Sequence, residues 1–321
     1  ASIQTTAASG FGFKNRIING DMRIDQRNAG GTLSLATVGG FLWAVDRFAG
    51  YVDKSGISGT VGQSTDAPPG FVSSFAVTVT TGAASAAGDQ SLIHQGIEGT
   101  NVSDFGWGTA AAQPVTLSFW VKSSITGING VSITNSAANR CYIAAYTVNA
   151  ANTWEYKSIT IPGDTTGTWL TTTGMGIRIR WNIGSGATYL GTSGSWGATY
   201  YSGPTGSFST TGTSGASFKI AGVQLEKGPT ATPFDYRPYG FELTLCQRYY
   251  IYNYKIFCQQ GTSGYSQPLP LTMRAAPTAT RTGICQTGSE SVPTTSTDTN
   301  YMYIYNATLP TGGTFTLSAE L

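Results

Sequence analysis

The chain has 321 residues, of which 42 are glycine and only 11% are Asp, Glu, Lys or Arg, while 40% are apolar. Such a low charge content excludes a coiled coil or a long-helix protein, and the apolar share is sufficient for a packed core. The formal net charge of +2 is too small to indicate a nucleic-acid or membrane-surface partner, and no run of about 18 apolar residues predicts a membrane span.

Residues 1–12 are mostly small and polar, which predicts a flexible N-terminal arm. The first ten residues carry neither a basic region nor an apolar stretch, so they do not resemble a secretion signal. We therefore expect a protein that is made in a reducing cytoplasm and is not secreted.

The cysteines are too sparse and too widely spaced for a zinc site or a disulfide scaffold. None of the four lies in a CxxC pair, the spacing that zinc sites commonly use. They are Cys141, Cys246, Cys258 and Cys285. We expect buried free thiols, as in proteins made in a reducing compartment.

From residue 13 to about residue 240 the sequence predicts a succession of strands. Val115, Leu117, Phe119 and Val121 alternate with more polar residues, which is the period of a half-buried strand. Further segments of this kind are residues 71–79, 154–161, 175–183 and 218–225. No segment carries a sustained helical apolar spacing. Many strands without intervening helices predict an all-β chain, with a jelly-roll β-sandwich over residues 13–240.

Prolines at positions 229, 233 and 238 predict a boundary, because proline cannot donate to a sheet ladder. A second, smaller antiparallel β domain is expected over residues 241–321, with β segments at 250–256, 273–277, 301–305 and 315–317. A domain of about 80 residues buries proportionally less surface. We expect it to lean on the first domain or on other subunits.

Residues 181–218 contain no Asp, Glu, Lys or Arg and are rich in Gly, Ser and aromatic residues. Long loops are usually functional, and rigid aromatic side chains on an adaptable backbone are typical of binding surfaces. We therefore expect residues 184–216 to form an exposed contact face. The candidate glycan- or partner-binding residues are Tyr189, Trp196, Tyr200 and Tyr201, with Trp107, in a predicted turn, as a weaker candidate.

The remaining tryptophans that lie in strand patterns are expected to pack in the core. They are Trp43, Trp120, Trp154 and Trp181.

A set of short motifs resembles the tail-fibre-like structural proteins of tailed bacteriophages, especially those of marine and cyanobacterial phages. The motifs cover the chain in order from about residue 15 to its end. They are residues 15–23, 117–124, 154–169, 223–228, 233–239, 246–250, 273–278 and 318–321. The resemblance implies a jelly roll similar to carbohydrate-binding modules, followed by a small β domain, in a protein of the virion.

Catalysis has little support in the sequence. His94 is the only histidine, and a lone histidine in a strand pattern is more typical of a structural residue than of a catalytic base. No GxSxG elbow is present. Glycoside cleavage needs two carboxylates across the bond, but most of the acids have neighbours that indicate structural work. We expect no catalytic residues and a non-enzymatic protein.

No cofactor is expected, and no metal ligands can be assigned. A structural Ca²⁺ is possible, since modules of the resembled kind often hold one, and the sequence holds no EF-hand-like loop that would identify its ligands. The possible donors are Asp21, Asp25, Asp46 and Glu226.

Three functions remain open at this stage. The first is a fibre or appendage component, expected as a homotrimer, that contacts other virion proteins and host surface polysaccharide. The second is a capsid decoration protein that coats or stabilises the virion. The third is a surface-polysaccharide depolymerase. Symmetric oligomers multiply weak binding sites, which favours the first.

Overall fold

The computed structural model describes residues 14–36, 39–256, 264–284, 294–305 and 313–321. Antiparallel strands dominate this part of the chain, so the predicted all-β fold class is confirmed. The larger unit contains β1 (Thr32–Ser34), β2 (Phe41–Val45), β3 (Phe48–Asp53), β4 (Ser58–Ser64), β5 (Ser74–Thr81), β6 (Gln90–Glu98), β7 (Val115–Ser123), β8 (Gly127–Thr134), β9 (Cys141–Val148), β10 (Glu155–Ile161), β11 (Met175–Asn182), β12 (Leu190–Gly191), β13 (Trp196–Gly197), β14 (Gly203–Pro204) and β15 (Ser217–Lys227).

These strands form a β-sandwich. One sheet has six strands in the order β1-β4-β5-β15-β7-β10, and the other has seven in the order β13-β9-β8-β11-β6-β3-β2. The period-two alternation places one face of each sheet against the other, because successive side chains of a strand point to opposite faces. Fully buried aromatic rings from both sheets, among them Phe48, Phe75, Phe119, Trp181 and Phe218, fill the space between them.

Residues 184–216 differ from the exposed loop expected from the sequence. The segment carries β12, β13 and β14, and β13 extends the seven-stranded sheet beside β9. Ser202, Pro204, Thr210 and Thr211 are buried. Backbone N–H groups of the segment donate to Ile128, Ile143 and Ile183 at 2.9–3.0 Å. An uncharged polar chain can be packed in this way because backbone hydrogen bonds satisfy its buried amides.

The C-terminal part of the chain begins with a helix that the sequence did not predict. This C-terminal part contains α1 (Tyr239–Gln247), β16 (Tyr250–Ile256), β17 (Gly264–Pro268), β18 (Thr278–Ile284), β19 (Thr294–Thr297), β20 (Tyr301–Tyr305) and β21 (Gly313–Ser318). The strands form two three-stranded antiparallel sheets, β16-β21-β18 and β17-β20-β19. Residues 273–277, expected as a β segment, lie in the connection before β18. A nine-residue helix is too short to show a sustained apolar stripe, and this one spans the predicted 240/241 boundary.

Ion pairs join the helix and the C-terminus to the sandwich. The fully buried Glu98, at the end of β6, accepts hydrogen bonds from Arg248 Nε and Nη2 at 2.9 Å and from the Tyr249 hydroxyl at 2.6 Å. The carboxylate of Glu320 pairs with Arg47, whose guanidinium lies 3.5 Å from the centre of the Tyr249 ring. Since these contacts bridge distant parts of the sequence, they hold the two units against each other.

The described helices are all too short and too polar to cross a bilayer. Cys141 and Cys246 are buried free thiols; Cys258 and Cys285 lie outside the described residues.

Candidate functional site

The structure divides the five predicted binding residues between two places. Trp107 and Trp196 join Trp169 and Tyr142 in a tryptophan cluster, with ring centroids 4.7–5.5 Å apart. Trp107 is only 7% exposed and its indole N–H donates to the Gln113 carbonyl at 2.8 Å. This corrects the expectation of a surface residue, because almost none of its ring is left for a ligand.

The other three predicted residues lie along the outer side of the seven-stranded sheet. Tyr189 and Tyr200 contact each other at a centroid distance of 5.8 Å, and the Tyr200 hydroxyl accepts a hydrogen bond from Gln90 at 2.9 Å. The backbone N–H of Tyr201 lies 3.5 Å from the Cys141 sulfur. All three rings are half-buried. Direct contact of these residues with a glycan or a partner stays a prediction.

The possible calcium donors are each engaged locally. Asp25 accepts from the backbone of Asn28 and Gly30, and Asp46 accepts from Gln26. Glu226 accepts from Thr232, and Asp21 pairs with Arg23. No three His, Cys, Asp or Glu side chains converge on a metal-sized site within the described ranges.

A different set of aromatic residues is exposed on the outer side of the six-stranded sheet. Two sets of aromatic side chains line a groove that has a volume of about 600 Å³. We call it the aromatic groove and define it by Phe71, Trp120, Tyr156, Phe234 and Tyr236. Tyr156 is 46% exposed and Tyr236 is 55% exposed, so their rings are open to solvent.

Strand register positions the first group of the groove. Tyr156 of β10 is paired with Trp120 of β7, and Trp120 is paired with Ala221 of β15. The three residues therefore lie side by side across one face of the sheet. The Trp120 and Tyr156 rings are 5.5 Å apart and tilted at 59°.

A glycine allows the second group to lie close to the sheet. Gly222 has φ of +57°, and a Cβ at this position would lie 2.6 Å from the Phe71 ring. Glycine adopts this backbone conformation without strain, and its missing Cβ leaves room for the ring. Phe71 then packs edge-on against Phe234 at 5.0 Å, and Phe234 against Tyr236 at 4.8 Å.

The segment that carries Phe234 is held by two buried side chains of β15. Glu226 accepts hydrogen bonds from the backbone and hydroxyl of Thr232 at 2.8 and 2.7 Å. Gln224 accepts from the backbone N–H of Asp235 at 2.8 Å. Because both ends of the segment are tied to the sheet, the rings of the groove are positioned before any ligand binds.

One carboxylate near the groove is strongly engaged. Asp66 accepts hydrogen bonds from Lys219, Lys122 and the Trp154 indole at 2.6–3.1 Å. Partial burial raises the pKa of Asp66, but these hydrogen bonds outweigh it and lower the pKa to about 2. The group is therefore a fixed anion over the physiological range.

This site was not expected from the sequence, because the strand patterns around Trp120 and Trp154 favoured core positions for both residues. Both lie half-exposed on the outer side of the sandwich, whereas Trp181 is fully buried as expected. The outward position of Trp120 could have been predicted from the alternation of residues along β7. Trp120 occupies the same phase as Thr116 and Lys122, opposite to Leu117 and Phe119.

No family model and no curated protein matches this sequence. Among solved structures, the enzymatically active domain of tailspike protein 4 from bacteriophage CBA120 is 12% identical, with a TM-score of 0.33 over 66% of this chain and 21% of that one. The chain thus spans about a fifth of that protein.

Two further similar structures are bacterial. A family 11 carbohydrate-binding module of a Clostridium thermocellum cellulase is 13% identical, with a TM-score of 0.31 over 63% of this chain and 97% of that one. A putative sugar-binding protein of Bacteroides thetaiotaomicron is 10% identical, with a TM-score of 0.36 over 67% of this chain and all of that one. At this level of similarity, function has to rest on the chain's own residues.

Proposed function

We propose that this protein binds glycans without cleaving them, and that the aromatic groove is its binding site. The observation that carries the proposal is the set of exposed, prearranged rings beside a groove of about 600 Å³. A pyranose presents a patch of C–H bonds that packs against an aromatic face. Ligand sites of about 300–1,000 Å³ are typically lined by such rings with a few polar groups.

The polar groups of the groove suit sugar hydroxyls. Ser118 and Thr232 line it together with the rings, and no lining side chain is charged. Tyrosine and tryptophan combine an apolar ring with a hydrogen-bonding edge, which serves a ligand that is apolar on its faces and polar around its rim. A neutral glycan matches this lining better than a charged ligand does.

The carboxylates near the groove support binding rather than hydrolysis. Glycoside cleavage uses two carboxyl groups, one of which has a raised pKa so that it can donate a proton. The described lining residues include no carboxylate. Asp66 beside the groove has a pKa of about 2 because it is fixed by two lysines and an indole, so it is unsuited to act as a general acid.

The proposed setting is a bacteriophage virion, in an appendage that contacts surface glycans of the host. The sequence resemblance described above supports this setting. Several copies that bind together would then strengthen the weak affinity of a single groove, and a homotrimer is the simplest such arrangement.

The test is binding of the purified protein to an array of neutral bacterial surface polysaccharides, followed by affinity measurement on the best ligand. The double variant Trp120→Ala/Tyr156→Ala should lose at least about ten-fold in affinity, because buried aromatic contacts dominate binding free energies. Tyr252→Ala is the matched control. Tyr252 is 48% exposed, nearly the same as Tyr156, but lies in β16 away from the groove.

Two results would contradict the proposal. One is full affinity in the double variant, which would remove the groove from the site. The other is release of reducing ends from the bound polysaccharide, which would make the protein a depolymerase. A stably folded wild type that binds no glycan, with copy numbers in virions close to those of the major capsid protein, would favour a decoration role instead.

A further inference from the structure

A second set of side chains on the opposite side of the sandwich has no role in the aromatic groove. Arg178 and Arg180 alternate along β11 with Ile177, Ile179 and Trp181, which are buried in the core. Both arginines therefore point to the outer side of the seven-stranded sheet, about 7 Å apart along the strand.

The neighbouring strands place three polar residues beside them. Arg180 is paired with His94 on β6 and with Ser132 on β8, and Arg178 is paired with Thr134 on β8. We call these five residues the arginine cleft. His94, Ser132 and Thr134 are fully buried. Both ring nitrogens of His94 and the hydroxyls of Ser132 and Thr134 lack a hydrogen-bond partner among the described residues.

Most buried polar atoms in proteins have a hydrogen-bond partner, which can be a ligand or a water. In this cleft the buried atoms without a partner coincide with unbalanced positive charge. Neither Arg178 nor Arg180 forms an ion pair with a described carboxylate. Burial and the neighbouring charge of Arg180 lower the pKa of Arg178, and its Nε donates only to the Met175 sulfur among the described residues.

The acids closest to the cleft are engaged elsewhere or lie at its rim. Glu98 is held by Arg248 and Tyr249, and Glu320 is held by Arg47 and Arg27. Asp53 lies at the exposed end of β3, near Tyr51. No described carboxylate therefore neutralises the two arginines.

The aromatic residues around the cleft fix its geometry. The Arg180 guanidinium lies 4.8 Å from the centre of the Tyr200 ring, in a cation–π contact. The Tyr200 hydroxyl is in turn held by Gln90 and Ser202 at 2.9 and 3.0 Å. Phe41, which is exposed at the edge, stacks on His94 with a centroid distance of 4.7 Å.

We propose that the arginine cleft binds the carboxylate of an acidic sugar. Two guanidinium groups side by side offer the forked N–H donors that match a carboxylate, and the buried hydroxyls and imidazole supply further hydrogen bonds. The tyrosine and phenylalanine rings at the rim provide a surface for the sugar ring itself. This inference rests on the proposed glycan-binding function and adds to it a second site with an acidic specificity.

The test uses matched pairs of ligands that differ only in charge. An array of uronate-containing bacterial polysaccharides is prepared in native form and after chemical reduction of the carboxyl groups to alcohols. The wild type should bind the native form of at least one pair about 10- to 100-fold more tightly, the range expected for hydrogen bonds to a charged group. Inorganic sulfate and phosphate are tested as competitors.

Four variants separate the cleft from the groove. Arg178→Gln/Arg180→Gln should abolish the preference for the native form and leave the affinity for the reduced form unchanged. Trp120→Ala/Tyr156→Ala should weaken both forms alike and retain the preference. Arg16→Gln removes an arginine that is paired with Asp104 and should change neither. Arg180→Lys should retain only part of the preference, because lysine keeps the positive charge but lacks the forked N–H donors of a guanidinium group.

Several outcomes would overturn the inference. Equal binding of both forms in every pair would remove the acidic specificity, as would a preference that survives the double arginine variant. Competition by sulfate or phosphate as strong as that of the polysaccharide would mean a simple anion site. If the groove variant changes nothing while the arginine variant abolishes the preference, the cleft is confirmed and the groove is wrong as the main site.

Discussion

The two outer faces of the sandwich differ in what they leave unsatisfied. On the six-stranded sheet, the aromatic groove exposes apolar rings, while the nearby charges of Asp66, Lys122 and Lys219 are paired with one another. On the seven-stranded sheet, the two arginines of the arginine cleft have no ion pair with a described carboxylate, and several buried polar atoms beside them have no hydrogen-bond partner among the described residues.

This difference indicates two kinds of ligand chemistry on one scaffold. An exposed ring is an incomplete apolar contact, and it is completed by a face of C–H bonds. An unpaired cation beside buried hydroxyls is an incomplete polar contact, and it is completed by an anion.

The largest effect is expected for Trp181→Ala. Trp181 is fully buried between the sheets and contacts Phe48 and Phe119 at centroid distances of 6.2 and 5.8 Å. Its truncation should lower the free energy of unfolding by about 3–5 kcal/mol. Denaturant unfolding measures this. Trp120→Ala, on the outer face, is the matched control and should cost less than half as much.

The next prediction compares Arg248, which forms an ion pair with Glu98, with Arg178, which forms no ion pair with a described carboxylate. Arg248→Met leaves the buried carboxylate of Glu98 with hydrogen bonds from the hydroxyls of Tyr249 and Thr100 and without an ion pair. It should destabilise the protein by about 3 kcal/mol, the usual penalty for breaking a buried ion pair. Arg178→Met should leave the thermal midpoint unchanged or raise it. A loss of stability in Arg178→Met equal to that in Arg248→Met would mean that Arg178 has a structural partner.

A smaller effect is expected for Gly222→Ala, which acts on the groove alone. An alanine in the left-handed conformation of Gly222 costs about 1–2 kcal/mol, and its Cβ would displace the Phe71 ring. Groove affinity should fall while the preference for carboxylated glycans is retained. Gly215→Ala is the control for backbone strain, because Gly215 has φ of +75° and nothing within 4 Å of the added carbon.

The smallest effect concerns the pH dependence of the pairs beside the groove. The pKa of Asp66 is lowered from 3.8 to about 2 in the folded state, so the ionised carboxylate stabilises the fold. This contribution is fully present above about pH 4 and is lost as the pH falls toward 2. Melting curves of Asp66→Asn and the wild type should differ at pH 6 and converge near pH 2. A constant difference across this range would contradict the assignment.

The alternation of residue types was sufficient to predict five of the fifteen described strands of the larger unit, namely β5, β7, β10, β11 and β15. β7 begins at Val115, as expected, and β11 and β15 lie within one or two residues of the predicted segments. β5 begins three residues later than expected, at Ser74. Alternation is a local property, and it survives folding because one face of each strand is buried.

The binding surfaces could not be found in the same way, because they are formed by tertiary contacts. The groove combines Phe71, Trp120, Tyr156 and Phe234, which come from four distant segments. Aromatic density instead pointed to residues 184–216, where Tyr200 and Trp196 proved to be packed against the fold. The arginines of the cleft were visible as the polar phase of β11, but only the sheet register brings His94 and Ser132 beside Arg180.

The most direct measurement is oxidative footprinting of the wild-type protein with and without a saturating neutral glycan. Solvent-exposed aromatic rings are oxidised, and a bound sugar protects those that it covers. We predict protection of Trp120, Tyr156 and Tyr236, with Tyr252 unchanged as the internal control. Protection confined to Tyr189, Trp196 and Tyr201, with the groove rings unaffected, would contradict the groove and return the site to the residues predicted from the sequence.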